Sequence, residues 1–214
     1  MTCFLFVALV AAAAQDAIVI SIREERWQQF MHNVSPDFAV AFHVRKLNGT
    51  LVELEHPRPK GVTRGAMGCY ESHMRAWESI ISTRETGLVF EDDAILMPDP
   101  GPIQAVIQEA NRLSSLNPRC CYVYLSDNKP WVAPGTTTFD QSSHFLKFTW
   151  HSRQWHATVA QIITPNVAEL LLLGARPIRE PVDVYLANLD RKNTIVSLHS
   201  LTDLVSSGHN KSDT

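Results

Sequence analysis

Short apolar runs suited to buried β-strands recur along this chain, and segments of helical periodicity separate them. The strand-like runs are AIVISI (17–22), FAVAFHV (38–44), LVELEH (51–56), GLVFE (87–91), CYVYL (121–125), TVAQIIT (158–164) and TIVSL (194–198). Helices are expected from RWQQFMH (26–32), from the segment around residues 65–81, from Ile103 to Leu113, and after Thr164. Met67, Tyr70, Met74, Trp77 and Ile81 recur at helical spacing and define one apolar face. Thr164 reads as an N-cap, Pro165 as the first helical residue and Gly174 as the stop. Apolar strands alternating with helices predict an α/β fold whose central sheet is mostly parallel. A chain of 214 residues, 45% hydrophobic and 19% charged, suffices for one such domain.

In open α/β sheets a ligand binds beyond the carboxyl ends of the strands. Glu91, Asp92 and Asp93 follow the apolar run GLVF and stand at such an end. Three adjacent carboxylates repel one another and resist unpaired burial. They either fan into water as a solvated turn or gather round a cation, and hard carboxylate oxygens suit Mn²⁺ or Mg²⁺. A second constellation is GAMGCYESH (65–73). Gly65, Gly68, Ser72, Ala76 and Ser79 line one small-residue face at a helix start, where free N–H groups favour anions. That face serves either close helix–sheet packing or a bound ligand, with Ser72 and His73 one turn in. The net charge of −3 gives no sign of nucleic-acid binding, so a phosphate-bearing ligand would rest on local arginines, backbone N–H groups or a metal.

Residues 1–14 have the apolar run and small alanines of a signal peptide, although no Lys or Arg stands near Met1. The run is too short to span a bilayer, so no stable transmembrane anchor is expected. Three N-x-S/T triplets, at Asn33, Asn48 and Asn210, fit the secretory pathway. Beyond Cys3, the odd number formed by Cys69, Cys120 and Cys121 argues against a disulfide framework, and adjacent cysteines seldom pair.

The ordered series IREERW, GAMGCYESH, LVFEDD and PVD (181–183) resembles glycosyltransferase family 25, which includes lipooligosaccharide and procollagen galactosyltransferases. The resemblance runs from Ala17 onward, and the chain ends at Thr214 where related domains continue, as in a domain truncated at its carboxyl end. It implies residues 15–214 as a single domain with a GT-A-like nucleotide-binding fold. It implies a metal-dependent transfer of a hexose, galactose from UDP-galactose, to a hydroxyl on a glycan or on collagen-like hydroxylysine, with inversion. By position, Asp93 is the direct Mn²⁺ (or Mg²⁺) ligand with Glu91 beside it, and Glu91 and Asp92 hold metal-bound water or the ribose. Arg23, Arg26, Gly68, Ser72 and His73 form the UDP-sugar pocket, and Asp183 is the acceptor-side base. Asp183 also reads as a helix N-cap, with Asp127 the next candidate base. His199 reads as a third metal ligand or as a polar residue ending a strand. A lumenal setting, endoplasmic reticulum or Golgi, follows from the secretory signals.

Ala66 stands where the family usually has Glu, and Gln161 where it usually has Tyr. These departures keep two other readings open: a catalytically silent binding or adhesion protein, and a nucleotide-sugar hydrolase. The long polar stretch Ser126–His144 and the residues Trp131, Trp150 and Trp155 are candidates for the acceptor side.

Overall fold

The computed structural model describes residues 15–50, 59–126, 137–138, 142–147 and 158–207. In chain order the elements are β1 (Gln15–Ser21), α1 (Glu24–Asn33), α2 (Pro36–Ala41), β2 (Phe42–Asn48), α3 (Arg64–Thr83), β3 (Gly87–Glu91), β4 (Ala94–Leu96) and α4 (Gly101–Leu116). They continue with β5 (Cys120–Tyr124), β6 (Thr137–Thr138), β7 (Phe145–Lys147), β8 (Ala160–Ile163), α5 (Pro165–Leu173), α6 (Val182–Arg191), β9 (Val196–Ser200) and β10 (Val205–Ser207).

The main sheet has the order β2-β1-β3-β8-β5-β9-β7-β6. β1 lies parallel to both β2 and β3, and β5 lies parallel to β9. Between these groups β8 runs antiparallel to β3 and to β5. Five of the six strands from β2 to β9 therefore share one direction, in agreement with the α/β, GT-A-like fold expected from the sequence. The reversal of β8 is the feature that the apolar pattern does not announce. Beyond Glu91 the chain turns at Asp92 and Asp93 and enters β4, which pairs antiparallel with β10 in a separate ribbon.

Side-chain alternation divides the core in two. Ala17 and Val19 of β1, Leu88 and Phe90 of β3, Val123 of β5 and Ile162 of β8 face α1, α2 and α4. Ile18 and Ile20, Val89, Tyr122 and Tyr124, and Ile163 face α3, α5 and α6. Within α3 the buried face holds Met67, Tyr70, Met74 and Trp77 as expected, but Ile80 completes it while Ile81 is only half-buried.

Two local expectations are corrected, for FAVAFHV and for the adjacent cysteines, while Thr164 and Gly174 bound α5 as expected but by other contacts. FAVAFHV is not a strand throughout, because residues through Ala41 form α2 and β2 begins at Phe42. Ser35 caps that helix by accepting from the Phe38 N–H at 3.1 Å, and Pro36 opens it, so local capping overrides the apolar run. Thr164 does sit at the N-cap of α5, but its hydroxyl is turned away to the neighbouring strand, accepting from Cys121 N–H and lying 2.9 Å from the Cys120 carbonyl. Gly174 ends α5 at φ −108°, so it serves space and not a left-handed turn: a Cβ there would lie 2.9 Å from the Tyr185 hydroxyl. Cys120 and Cys121 are joined by a disulfide, against the expectation for neighbours.

Residues 1–14, LVELEH, Asp127, Trp131, Trp150, Trp155 and Asn210 lie outside the described residues. Asn33 and Asn48 are exposed. Among the described residues no helix is long and apolar enough to cross a membrane.

Candidate active site at the carboxyl ends of β1 and β3

β1 and β3 are adjacent and parallel, with Ile20 opposite Glu91, so their chain exits open on the same edge of the sheet. α1 starts just beyond β1, and α3 crosses the face toward which Glu91 points. Together they enclose a cleft of about 200 Å³ lined by Ile20, Ile22, Arg23, Arg26, Gly65, Cys69, Ser72, Glu91 and Asp92. Of the residues nominated from sequence, Arg23, Arg26, Ser72, Glu91 and Asp92 thus meet around one space. Gly68 is buried behind it, and His73 is fully buried beneath it. Asp93 occupies the turn next to Asp92 but is not part of the lining.

Each wall has a local cause. Arg23 is the N-cap residue of α1 and lends no side-chain cap, which leaves its guanidinium exposed beside the cleft. Asp92 is held by two contacts: Ser21 Oγ at 2.7 Å from Oδ2, and Arg26 Nη1 at 3.4 Å from Oδ1. On α3, a Cβ built on Gly65 would meet nothing nearer than Thr63 Oγ1 at 3.9 Å. Packing does not require glycine at that position; its absent side chain leaves room on the cleft side. Ser72, in contrast, is committed to structure, since its hydroxyl donates to the Gly68 carbonyl at 2.7 Å and accepts from the Thr50 N–H at 2.8 Å.

The cleft floor is a mixed cluster. His73 Nε2 lies 3.3 Å from Glu91 Oε1, and Cys69 Sγ lies 4.0 Å from the same oxygen. Thr158, just before β8, donates its hydroxyl to that oxygen as well. Burial works against a charge on His73, but the contacts with Cys69 and Glu91 outweigh it and hold the imidazole pKa well above the usual histidine range.

Asp183 lies on α6, which packs against α3. It is not the N-cap, which is Pro181; it is the second helical residue, so the capping role read from the sequence is corrected. Burial raises its pKa, backbone N–H groups of the first turn oppose this, and the nearby charges of Glu91 and Glu180 raise it further. A half-buried carboxyl within the field of Glu91 is suited to taking a proton. His199 is buried on β9 and stacks on Tyr124 at 4.7 Å between ring centroids.

Sequence reasoning did not nominate Cys69, Thr158 or Ser21. Cys69 had a signal, because it stands four residues before His73 and shares its helix face. Thr158 had none, as only the reversed β8 brings it beside β3.

An α/β sheet covered on both faces, with carboxylates and arginines around a cleft at its strand ends, has a GT-A-like arrangement. A family model described as glycosyltransferase family 25 (LPS biosynthesis protein) matches residues 46–186, about two thirds of the chain. The chain belongs to glycosyltransferase family 25 and is a glycosyltransferase. The matched range includes α3, Glu91–Asp93 and Asp183, whereas Arg23 and Arg26 precede it and rest on the cleft geometry. A search among curated proteins finds no match.

Proposed function

We propose that this glycosyltransferase moves a hexose, galactose from UDP-galactose, to a hydroxyl on a glycan or on collagen-like hydroxylysine, with inversion and with Mn²⁺ or Mg²⁺ in attendance. The observation that carries the reading is the convergence of Glu91 and Asp92 with Arg23, Arg26 and the open Gly65 face around one cleft. Consecutive carboxylates at the exit of β3 are the donor set a hard divalent cation requires, so the residues fit that ion. When bound, the cation supplies Lewis-acid stabilisation of the departing diphosphate.

The chain's own residues supply the rest. Arg26 is only loosely tied to Asp92, at 3.4 Å, and half exposed, so it is free to turn to a phosphate. Arg23 is exposed beside it. Asp93 is the direct metal ligand in this reading, with Asp92 kept oriented by Ser21. Asp183 takes the proton of the acceptor hydroxyl as it attacks the anomeric carbon, while the bond from that carbon to the phosphate oxygen breaks. The raised pKa of Asp183 makes it a better base than an ordinary aspartate. Attack from the face opposite the leaving group inverts the anomeric centre in a single displacement. Exposed sequons at Asn33 and Asn48 support passage through the secretory pathway, with the mature chain beginning near Gln15 in the endoplasmic reticulum or Golgi lumen.

The test is calorimetric titration of UDP in the presence of Mn²⁺, followed by acceptor screening with glycans and collagen peptides. Asp93→Asn is expected to lose metal-dependent UDP binding while its melting temperature holds. Unchanged affinity in that variant sinks the metal assignment. Mn²⁺-dependent loss of UDP-galactose that needs no added acceptor makes the protein a hydrolase instead, and no turnover at all makes it a silent binding protein.

A further inference from the structure

At the floor of the cleft Glu91, which the transfer reading already uses, is joined by a thiol and an imidazole to which that reading gives no step. Cys69 and His73 are four residues apart on α3 and project from one face of that helix. Glu91 ends β3 two residues after Val89 and points to the same side of the sheet. One thiol, one imidazole and one carboxylate therefore present ligand atoms that all lie within 4.8 Å of one another.

Their spacing approaches that of a coordination shell, with the thiol lying outside it. Bonds of about 2.0–2.3 Å to a tetrahedral zinc ion set neighbouring ligand atoms roughly 3.3–3.7 Å apart. His73 Nε2 and Glu91 Oε1 are 3.3 Å apart, and Cys69 Sγ is 4.0 Å from that oxygen. His73 is wholly buried, and its Nδ1 has no hydrogen-bond partner among the described residues. The ring's polar contacts are thus confined to Nε2, on the side of Cys69 and Glu91. The carboxylate is oriented from outside the trio by the Thr158 hydroxyl, as supporting residues orient metal ligands. Cys69 and Glu91 line the cleft while His73 closes the site from below.

We propose that Cys69, His73 and Glu91 bind a borderline-soft divalent cation of the zinc class, with its fourth coordination position open to the cleft. Thiolate and imidazole favour Zn²⁺ or Co²⁺ over Mn²⁺ or Mg²⁺, which prefer oxygen alone. Ligation takes the Cys69 thiolate and the neutral His73 imidazole, so the protons those ligand atoms carry leave to solvent. With Glu91 Oε1 engaged here, Asp92 and Asp93 remain for the hard cation of the sugar donor. The site goes beyond the transfer reaction and shares Glu91 with it.

Titration of the full chain with Co²⁺, followed by absorption spectroscopy, tests the site. The expected result is one equivalent bound with a thiolate-to-cobalt charge-transfer band. Zn²⁺ is expected to remove the band stoichiometrically, and Mn²⁺ to leave it in place. Cys69→Ser is expected to abolish the band, whereas Cys3→Ser keeps it. Thr158→Val leaves all three ligands present and is expected to weaken Co²⁺ binding about 10–100-fold while retaining the band. Asp93→Asn is expected to leave the cobalt spectrum unchanged even where UDP–Mn²⁺ binding is lost, which separates this site from the donor metal. Absence of the band in the wild type, its survival in Cys69→Ser, or its removal by Mn²⁺ as readily as by Zn²⁺ overturns the proposal.

Discussion

The two faces of the sheet are built from the same strands and differ in chemistry. Toward α1, α2 and α4 the buried side chains are phenyl and aliphatic apart from the Cys120–Cys121 disulfide: Phe90 meets Phe30 at 5.9 Å and Phe38 at 6.1 Å between ring centroids. Toward α3, α5 and α6 the large side chains are Tyr70, Trp77, Tyr122, Tyr124 and Tyr185, and Gln161 and His73 are buried as well. Aromatic residues with a polar end fill volume as phenylalanine does but demand partners. Tyr122 shows the tension, because its hydroxyl is buried and has no partner among the described residues. Its pKa is driven well up by burial first, with Tyr124, Glu91, Cys69 and Asp183 adding to the effect. Truncation is expected to cost most on the dry face, and the face with polar groups adjoins the cleft.

The largest expected effect lies on the polar face and concerns rate. Asp183→Asn should slow transfer about 10²–10⁴-fold and leave UDP affinity intact, as steady-state kinetics and calorimetry would show. Its stability should move the other way. Because the folded-state pKa of Asp183 is raised, the stabilisation by its neutral form is present below the unfolded carboxylate value and is lost as pH rises through the folded value. Asparagine imitates that neutral form, so the melting temperature of Asp183→Asn relative to wild type should rise between about pH 4 and pH 7. Near wild-type transfer by this variant would remove Asp183 as the base.

Phe90→Ala probes the dry face. Deleting a fully buried ring from a phenyl cluster should cost about 3–5 kcal/mol in urea unfolding. The fraction that stays folded should bind UDP normally, since Phe90 points away from the cleft. A loss below about 1 kcal/mol would mean that this face is not where stability resides.

Tyr122→Phe makes the opposite test at smaller scale. Removing an unpaired buried hydroxyl without changing shape should leave stability unchanged or raise it by up to about 1 kcal/mol. A loss of about 2 kcal/mol or more would show that the hydroxyl has a partner and that the polar face is as demanding as the dry one.

The smallest effect is expected on the solvent side of α4. Glu109 pairs through both carboxylate oxygens with Arg112 at 2.7 Å, which holds its pKa down at about 2. A depressed pKa contributes stability above the unfolded value that disappears as pH falls toward 2. Arg112 is half exposed and the pair is screened on that side, so Glu109→Gln should give only a small shift in melting temperature at pH 7 and a smaller one at pH 2.

Much of the framework was legible in the sequence. β1, β3, β5, α3, α4 and α5 follow from local pattern, and GLVFEDD by itself marks the acids at a strand exit. The start of FAVAFHV was misread because the S-P-D signal of a short helix was outweighed by apolar content. Asp183 stands at a helix start as expected but two residues past the capping position, which Pro181 holds.

What the sequence determined by itself is the alternation along each strand and the spacing along each helix, because both depend on neighbours a few residues apart. It could place Cys69 and His73 on one face of α3, and Glu91 at the end of an apolar run. The tertiary structure decided that those faces meet. Thr158 reaches Glu91 across 67 positions of sequence because β8 runs against β3, and Asp183 enters the field of Glu91 because α6 packs on α3. Strand direction and helix placement arise from burying both faces of the sheet at once, a condition that no local window of residues contains.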